Sequence, residues 1–355
     1  MTEALDLFLG LTPDRVLAAV ERSGLRCNTL CYPLNSFENR VYEVELEGRS
    51  RVVAKFYRPG RWSAEQILEE HAFLAELETE EVPVCTVRHF PDGSTLQRID
   101  DIYYSLSDRR GGRAPDELSD PLCRRLGALV ARMHNVAARH AAVHRPGLDS
   151  ERYIRRALRW LDEHQSLPDS LRRRYFDAAE GIADVADLLA VGVDTHRIHA
   201  DLHLGNVLLR DDRLTLLDFD DMLTGPAVQD VWLALPGRDS ESRRKRELFF
   251  GGYRELRDFD ASSARLIEPL RGLRMVRYAG WLARRWHDPA FRLGWPHFGD
   301  DDYWRREVDD LEEQLAVVKG QARLPATVHD PERRVEVDSE IELTNKDYFW
   351  DWEGD

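Results

Sequence analysis

The hydrophobic period of this chain changes near residue 108, from mostly strand-like to almost wholly helical, and that switch narrows the folds open to it. Before it, TPDRVLAAVERSGL predicts a short helix with Thr12 as N-cap and Pro13 at its first position. NRVYEVELEGRSRVVAKFYRP then alternates, which predicts a hairpin of Val41–Leu46 and Arg51–Phe56 turning at Glu47-Gly48. SAEQILEEHAFLAELE predicts one helix capped by Ser63, with Ile67, Leu74 and Leu77 on its apolar stripe. VRHF, STLQRI and DIYYSLS read as further strands. Beyond them Leu122, Leu126, Leu129, Val130, Met133 and Ala137 recur at helical spacing, and three later segments continue in that style. One strand-like island interrupts them, HADLHLGNVLLRDDRLTLLDFDD at 199–221. The expected fold is α+β: a small β-rich lobe with one inserted helix over 1–108, and a larger, mainly helical lobe over 109–327. An acidic extension over 328–355 completes the division.

At 355 residues the chain is too long for one small core. A net charge of −15 argues against a nucleic-acid partner, which needs a basic face. No apolar run approaches the roughly 20 residues needed to span a bilayer, and MTEALDLFLGLTPD does not read as a signal peptide. Cys27, Cys31, Cys85 and Cys123 cannot staple a chain of this size, so free thiols and a cytoplasmic setting are expected. Cys27 and Cys31 lack the second ligand pair that a zinc site requires.

Carboxylates at the ends of buried strands are costly unless something compensates them, and the 199–221 stretch has several. Phosphoryl transfer gives them a use. Its transition state spreads charge over phosphoryl oxygens, so catalysis is mainly positioning and neutralisation by Mg2+. The acceptor hydroxyl needs a carboxylate within reach, and the cation takes oxygen ligands. Asp201 followed by Asn206 supplies a base and a ligand; Asp218, beyond a hairpin turning at Asp211-Asp212, supplies the second ligand. The nucleotide phosphates call for a lysine on a strand, held by a glutamate from a nearby helix. VVAKF offers Lys55 and resembles the kinase V-A-I-K element. Glu70 lies on the Ile67–Leu74–Leu77 stripe, whereas Glu69 points about 100° away, so Glu70 is the expected partner. HADLH read alone suggests a hydrolase metal site, but no further His or acid cluster accompanies it.

HADLHLGNVLL…LLDFDD is similar to the HGDLHxGN…DFD block of the protein-kinase-like superfamily that includes aminoglycoside and choline/homoserine kinases. FYRPGRWSAEQILEEHAFLAEL, EVPV, GGR at 111–113, GPAVQDVWLAL and LIEPLRGLRMVRYAGWLARRWHDPAF resemble the bacterial stress response kinase A family (YihE/RdoA type). The resemblance runs from the first helix to about residue 320 and implies a bilobal protein-kinase-like fold and a Ser/Thr protein kinase using ATP and Mg2+ in stress response. Carried over by motif, Asp201 is the proton acceptor, and Asp218 is both catalytic and, with Asn206, a magnesium ligand. Lys55 holds the ATP phosphates, paired to Glu70. YPLNSFENRVYEV covers the phosphates, with Ser36 beside the nucleotide. That loop lacks glycines, so Asn35, Ser36 and Asn39 must act through backbone amides and small side chains. Ala200 stands where the family's HGD has glycine, tolerable unless the position needs φ > 0.

The implied partners are ATP and a protein bearing a Ser or Thr acceptor, with no nucleic acid or membrane, and a monomer is expected. The alternative is a small-molecule hydroxyl kinase of the aminoglycoside, choline or homoserine type, since one fold hosts both. A choline-type acceptor would want an aromatic or acidic cage. His199 and His203 read as structural, Asp220 and Asp221 as ordering the metal loop, and Asp230 as a brace or a helix N-terminal charge. Arg271, Arg274 and Arg277 read as too close in sequence to share a face with Arg284 and Arg285, some lining an acceptor cleft. Trp281, Trp286, Trp295 and Trp304 read as core. In the extension, VEVDSEIEL reads as an edge strand and DYFWDWEGD as an aromatic clip, or both as a poorly ordered end.

Overall fold

The computed structural model describes Phe8 and residues 10–322, so the expected strand and clip of the extension lie outside the described residues. In chain order the first elements are α1 (Pro13–Glu21), β1 (Cys27–Leu34), β2 (Arg40–Leu46), β3 (Arg51–Phe56), α2 (Ala64–Thr79), β4 (Gln97–Ile99), β5 (Ile102–Asp108) and α3 (Asp120–Ala137). A π-helical turn, Glu151–Arg155, leads into α4 (Arg156–Glu163) and α5 (Asp169–Ala190). The strand-like island contributes β6 (His196–Ile198), β7 (Val207–Arg210), β8 (Arg213–Leu216) and β9 (Leu223–Gly225). Helices α6 (Val228–Ala234), α7 (Ser240–Arg254), α8 (Ile267–Arg285), α9 (Pro289–Gly294) and α10 (Asp301–Ala322) follow. Two compact units result. One takes in residues up to Leu118, 132–146 and 204–222; the other takes in 119–131, 147–203 and the chain from Leu223. The island is divided: its hairpin belongs with the sheet, and Asp201 with the helices.

The first unit is α+β, as the period predicts. Its five strands form an antiparallel sheet in the order β1-β2-β3-β5-β4. The β2–β3 hairpin forms where expected, although the residue at positive φ in its turn is Arg49 rather than Gly48. VRHF makes no strand; Val87 forms an isolated bridge to Ser107. STLQRI keeps only Gln97–Ile99. Strand β1 was not expected, because it carries no buried apolar stripe. It lies at the sheet edge, where Pro33 costs no ladder bond. Val44, Val52, Phe56, Tyr104 and Leu106 pack against Val16 and Val20 of α1, whose start is capped by Thr12. Ser63 and Gln66 close a capping box on α2. The buried stripe of α2 carries two polar residues, Glu70 and His71, among Ile67, Phe73, Leu74 and Leu77. In the β7–β8 hairpin Asp211 and Asp212 have φ of 48° and 58°, the pair of left-handed residues that a tight hairpin turn demands. Arg113 bridges to Leu209, and a Cβ on Gly112 would sit 3.2 Å from the Leu209 carbonyl, which accounts for the small residues of GGR.

The second unit is helical. Helix α5 packs on α8 and α10, and α4 packs on α8. Two glycines bring helix backbones together: a Cβ on Gly127 would meet Phe249 O at 2.0 Å, and one on Gly252 would meet Arg124 O at 1.9 Å. Every residue of α6 is buried, so it has no solvent face and GPAVQDVWLAL reads as a near-continuous apolar run. Short strands β6 and β9 pair His196–Ile198 with Leu223–Gly225; three residues each are too few for a sequence period to reveal. Trp304 is fully buried, and Trp281 and Trp295 pack on each other, on Tyr278 and on Phe291. Among the described residues no helix is long and apolar enough to cross a membrane, and all four cysteines are free thiols.

Candidate active site

In the first unit Lys55 sits one residue from the end of β3 and is largely buried, where an ammonium must be compensated. Its Nζ lies 2.8 Å from Asp218 Oδ1, 3.4 Å from Asp220 Oδ1 and 3.6 Å from Glu70 Oε1. Burial pushes the Lys55 ammonium down, but Asp218, Asp220 and Glu70 together outweigh it and hold its pKa well above the usual range. The α2 stripe aims Glu70 inward, as its position predicts. Glu69 instead turns its carboxylate to the N–H groups of Val143, His144 and Arg145. Glu70 is also bound by Arg145 Nη2 at 3.0 Å. Burial raises its carboxyl above the usual range, with Lys55 and Arg145 opposing.

Asn206 and Asp218 close the two ends of the β7–β8 hairpin. Leu217 N–H donates to Asn206 O at 2.9 Å, so the two side chains leave adjacent backbone. Asp218 itself adopts φ 50°, a left-handed conformation open to Asp at modest cost. Its half-exposed carboxylate and the Asn206 amide would offer oxygen donors of the kind a hard divalent cation takes. No group of three or more His, Cys, Asp or Glu side chains forms a metal site among the described residues.

The side chains that hold this arrangement come from a stretch whose role was not legible, YRPGRW. Arg61 pairs with Asp220, with Asp221 at 2.9 Å and with Glu38 at 3.7 Å. Burial lowers the Arg61 pKa, and the three acids raise it well above the usual range. Arg58 donates to the carbonyls of Phe37 and Glu38 at 3.0 and 2.8 Å, fixing the glycine-free loop. Tyr57 hydroxyl meets His71 Nε2 at 2.9 Å and Ser105 Oγ at 3.1 Å. Trp62 stacks under Arg145, 4.2 Å from ring centre to guanidinium carbon. Asn39 is buried: its Nδ2 donates to Asp220 Oδ2 at 3.0 Å, and its Oδ1 accepts Arg58 N–H at 3.1 Å. The Asn39 side chain is therefore engaged inside the protein, and any direct contact with a nucleotide falls to its backbone. Ser36 lies in the same loop and is half-buried.

The second unit holds Asp201 in a tight turn. Ala200 has φ 68°, so the position where the resembling family has glycine does require the left-handed region. Asp230, fully buried on α6, braces that turn: its two oxygens accept His199 N–H at 2.9 Å and Ala200 N–H at 2.7 Å. Gln229 donates to Ala200 O at 3.2 Å and accepts from Trp232 Nε1 at 3.0 Å. His199 Nδ1 accepts Asp201 N–H, which fixes a structural role for that ring. His203 Nε2 is 3.5 Å from Asp201 Oδ2, and burial first, then Arg274 and His199, keep its pKa below the usual range against the pull of Asp201. Arg274 Nη1 lies 3.0 Å from Asp201 Oδ1. The arginine series had suggested a residue of this kind without saying which. Arg271, by contrast, is buried and donates to Pro236 O at 2.6 Å.

The arrangement is chemically that of a phosphotransferase, and comparison with known proteins agrees. The sequence profile of the APH phosphotransferase enzyme family matches residues 31–267. Stress response kinase A of Escherichia coli (strain K12) is 37% identical over 320 residues, covering 90% of this chain and 97% of that one. Serine/threonine protein kinase RdoA of Salmonella typhimurium is 35% identical over 312 residues, covering 88% and 94%. Among solved structures, an amicoumacin kinase in complex with AMP-PNP, Ca2+ and Ami superposes with a TM-score of 0.70 at 20% identity, over 85% of this chain and 93% of that one. That likeness shows the fold. On the profile match and on identity spanning nearly the whole relative, the chain belongs to the APH phosphotransferase family and, within it, to the stress response kinase A family.

Proposed function

We propose that the protein is a Ser/Thr protein kinase, transferring the γ-phosphoryl group of ATP to a polypeptide hydroxyl as part of a bacterial stress response. The observation that carries the phosphotransfer chemistry is Lys55 held among Asp218, Asp220 and Glu70. In this reading residues 1–108 bind nucleotide, 109–327 carry catalysis and the acceptor, and the chain works as a cytoplasmic monomer. Lys55 leaves part of its carboxylate pairing to engage the nucleotide phosphates, with Glu70 and Arg145 fixing its direction. Ser36 and the backbone around Asn39 cover the phosphates, and Arg58 keeps that loop in place.

Asn206 and Asp218 would hold Mg2+, which supplies neutralisation of the charge on the transferring group. Asp201 accepts the proton of the acceptor hydroxyl. Arg274 at 3.0 Å fixes the direction of that carboxylate. In a loose transition state the hydroxyl becomes acidic late, so orienting it matters more than basicity.

The names of the relatives at 35–37% identity support a protein acceptor. The small-molecule alternative draws on the amicoumacin kinase of like fold. A cationic antibiotic or choline-like acceptor would want acids or open aromatic faces near the base. Arg274 stands there instead, and Trp281 and Trp295 pack on their own aromatic neighbours. Transfer of label from γ-labelled ATP with Mg2+ decides between them, offering denatured polypeptides and a panel of aminoglycosides, choline and amino alcohols. The reading predicts phosphoserine or phosphothreonine; label on the small compounds alone would overturn it.

A further inference from the structure

Helix α8 carries a row of arginines that starts at the base. At 100° per residue, Arg274, Arg277, Trp281, Arg284 and Arg285 fall within an arc of about 100°, on the side that the buried residues of α8 leave open. The expectation that Arg271, Arg274 and Arg277 could not share a face with Arg284 and Arg285 thus holds for Arg271, which is buried, and fails for Arg274 and Arg277, because α8 runs unbroken from Ile267 to Arg285. The row begins with Arg274 at 3.0 Å from Asp201. Arg277 donates to Tyr153 hydroxyl at 2.5 Å and lies over that ring. Arg284 reaches across to the carbonyl of Arg156 at 3.1 Å.

The row gathers like charge. Burial lowers the Arg284 guanidinium below the usual range, and the charges of Arg285, Arg156, Arg152 and Arg277 add to that lowering. Among the described residues no carboxylate makes an ion pair with Arg284, whose guanidinium meets the Arg156 carbonyl instead, while Glu151 acts electrostatically on Arg156. The flanking Arg155 and Arg159 differ, each paired with acids: Glu180, Asp184 and Asp187 for one, Glu151 for the other. Like charges crowded around Arg284, at the far end of the row from the base, repel one another, and an anion docked there relieves that repulsion.

We propose that this row docks the acceptor polypeptide, and that the polypeptide carries Asp or Glu within four or five residues of its Ser or Thr. The span follows from the helix. Ten residues from Arg274 to Arg284 rise about 15 Å, which an extended peptide covers in four or five residues at about 3.3 Å each. The inference rests on the protein-kinase reading and names the substrate class for it.

The test compares three synthetic peptides that share one serine and differ only in flanks of Glu, Gln or Lys, assayed with ATP and Mg2+ beside the small-molecule panel. Two new charge pairs predict a kcat/KM about tenfold higher for the Glu peptide than for the Gln peptide, shrinking as salt is raised, and a poorer Lys peptide still. Combining Arg156→Glu with Arg284→Glu reverses the order while leaving KM for ATP unchanged. Should that variant fold poorly, Arg156→Gln with Arg284→Gln is expected to abolish the preference. Equal labelling of the three peptides, a preference for Lys flanks, or a preference that survives the charge reversal overturns the inference alone. Label confined to the small compounds overturns the protein-kinase reading and the inference with it.

Discussion

Asp230→Asn removes the brace from the turn that presents Asp201. The native carboxylate accepts two backbone N–H groups, at 2.9 and 2.7 Å, from a residue with no solvent exposure. Hydrogen bonds to a charged acceptor are worth about 1.5–3 kcal/mol each, and a buried donor left unpaired costs about 1–3 kcal/mol. Asparagine keeps one acceptor oxygen and turns an NH2 group towards the other N–H. One charge-assisted bond is lost, one donor is orphaned, and the expected destabilisation is about 2–4 kcal/mol. Ala200, held at φ 68° by this brace, then relaxes and carries Asp201 with it. A displacement near 1 Å at a catalytic group costs about 100-fold in rate. Urea unfolding reads the first effect; single-turnover phosphoryl transfer reads the second. KM for ATP should stay within about twofold, because Asp230 contributes to orientation and not to nucleotide binding. A variant of native stability and undiminished transfer would refute the bracing argument.

Ala200→Gly should stabilise the protein by about 0.5–1 kcal/mol, the left-handed cost of about 1–2 kcal/mol less the entropy of glycine, as read by denaturant midpoint. Arg61→Met removes one cation from Asp220 and Asp221, leaving Asp220 with Lys55 and Asn39, and should cost about 1.5–3 kcal/mol and raise KM for ATP, measured by unfolding and initial rates. The His71 ring is kept neutral, its pKa pushed down to about 3 by burial, then by Lys55 and Arg145, against 6.5 unperturbed. The unfolded chain therefore binds one more proton between those values, so this contribution is complete above pH 6.5 and lost on acidification. Between pH 7.5 and 5.5 the loss is about 1.4 kcal/mol, which His71→Asn should remove from the urea titration. Gly252→Ala places a methyl against Arg124 O and should cost about 1–3 kcal/mol in thermal unfolding.

Much of the site was legible because its chemistry uses residue types that a buried strand or helix otherwise avoids. Lys55 inside VVAKF and Glu70 on an apolar stripe each break a local pattern, and the structure puts them 3.6 Å apart. The Asp211-Asp212 turn was legible for the same reason, since few residues other than Asp and Asn tolerate consecutive positive φ. Strands β1, β6 and β9 were not legible: an edge strand without a buried face, and two of three residues, have no period to read. Nor were Arg58, Arg61 and Arg145. A surface arginine and an arginine tying a catalytic loop look alike until the acid partners, distant in sequence, are brought beside them. The arginine row on α8 was misread because spacing along the chain was weighed before position around the helix.

The proposed division of labour, with Asp201 serving the acceptor hydroxyl and Lys55, Asn206 and Asp218 the nucleotide, is checked by single-turnover transfer with Asp201→Asn against the native protein. Nucleotide affinity is measured alongside by titration with a non-hydrolysable ATP analogue and Mg2+. Native affinity is expected, with transfer reduced by about 100- to 10,000-fold, the span of general base catalysis. Transfer that continues at the native rate, or an equal loss of nucleotide affinity, would contradict it.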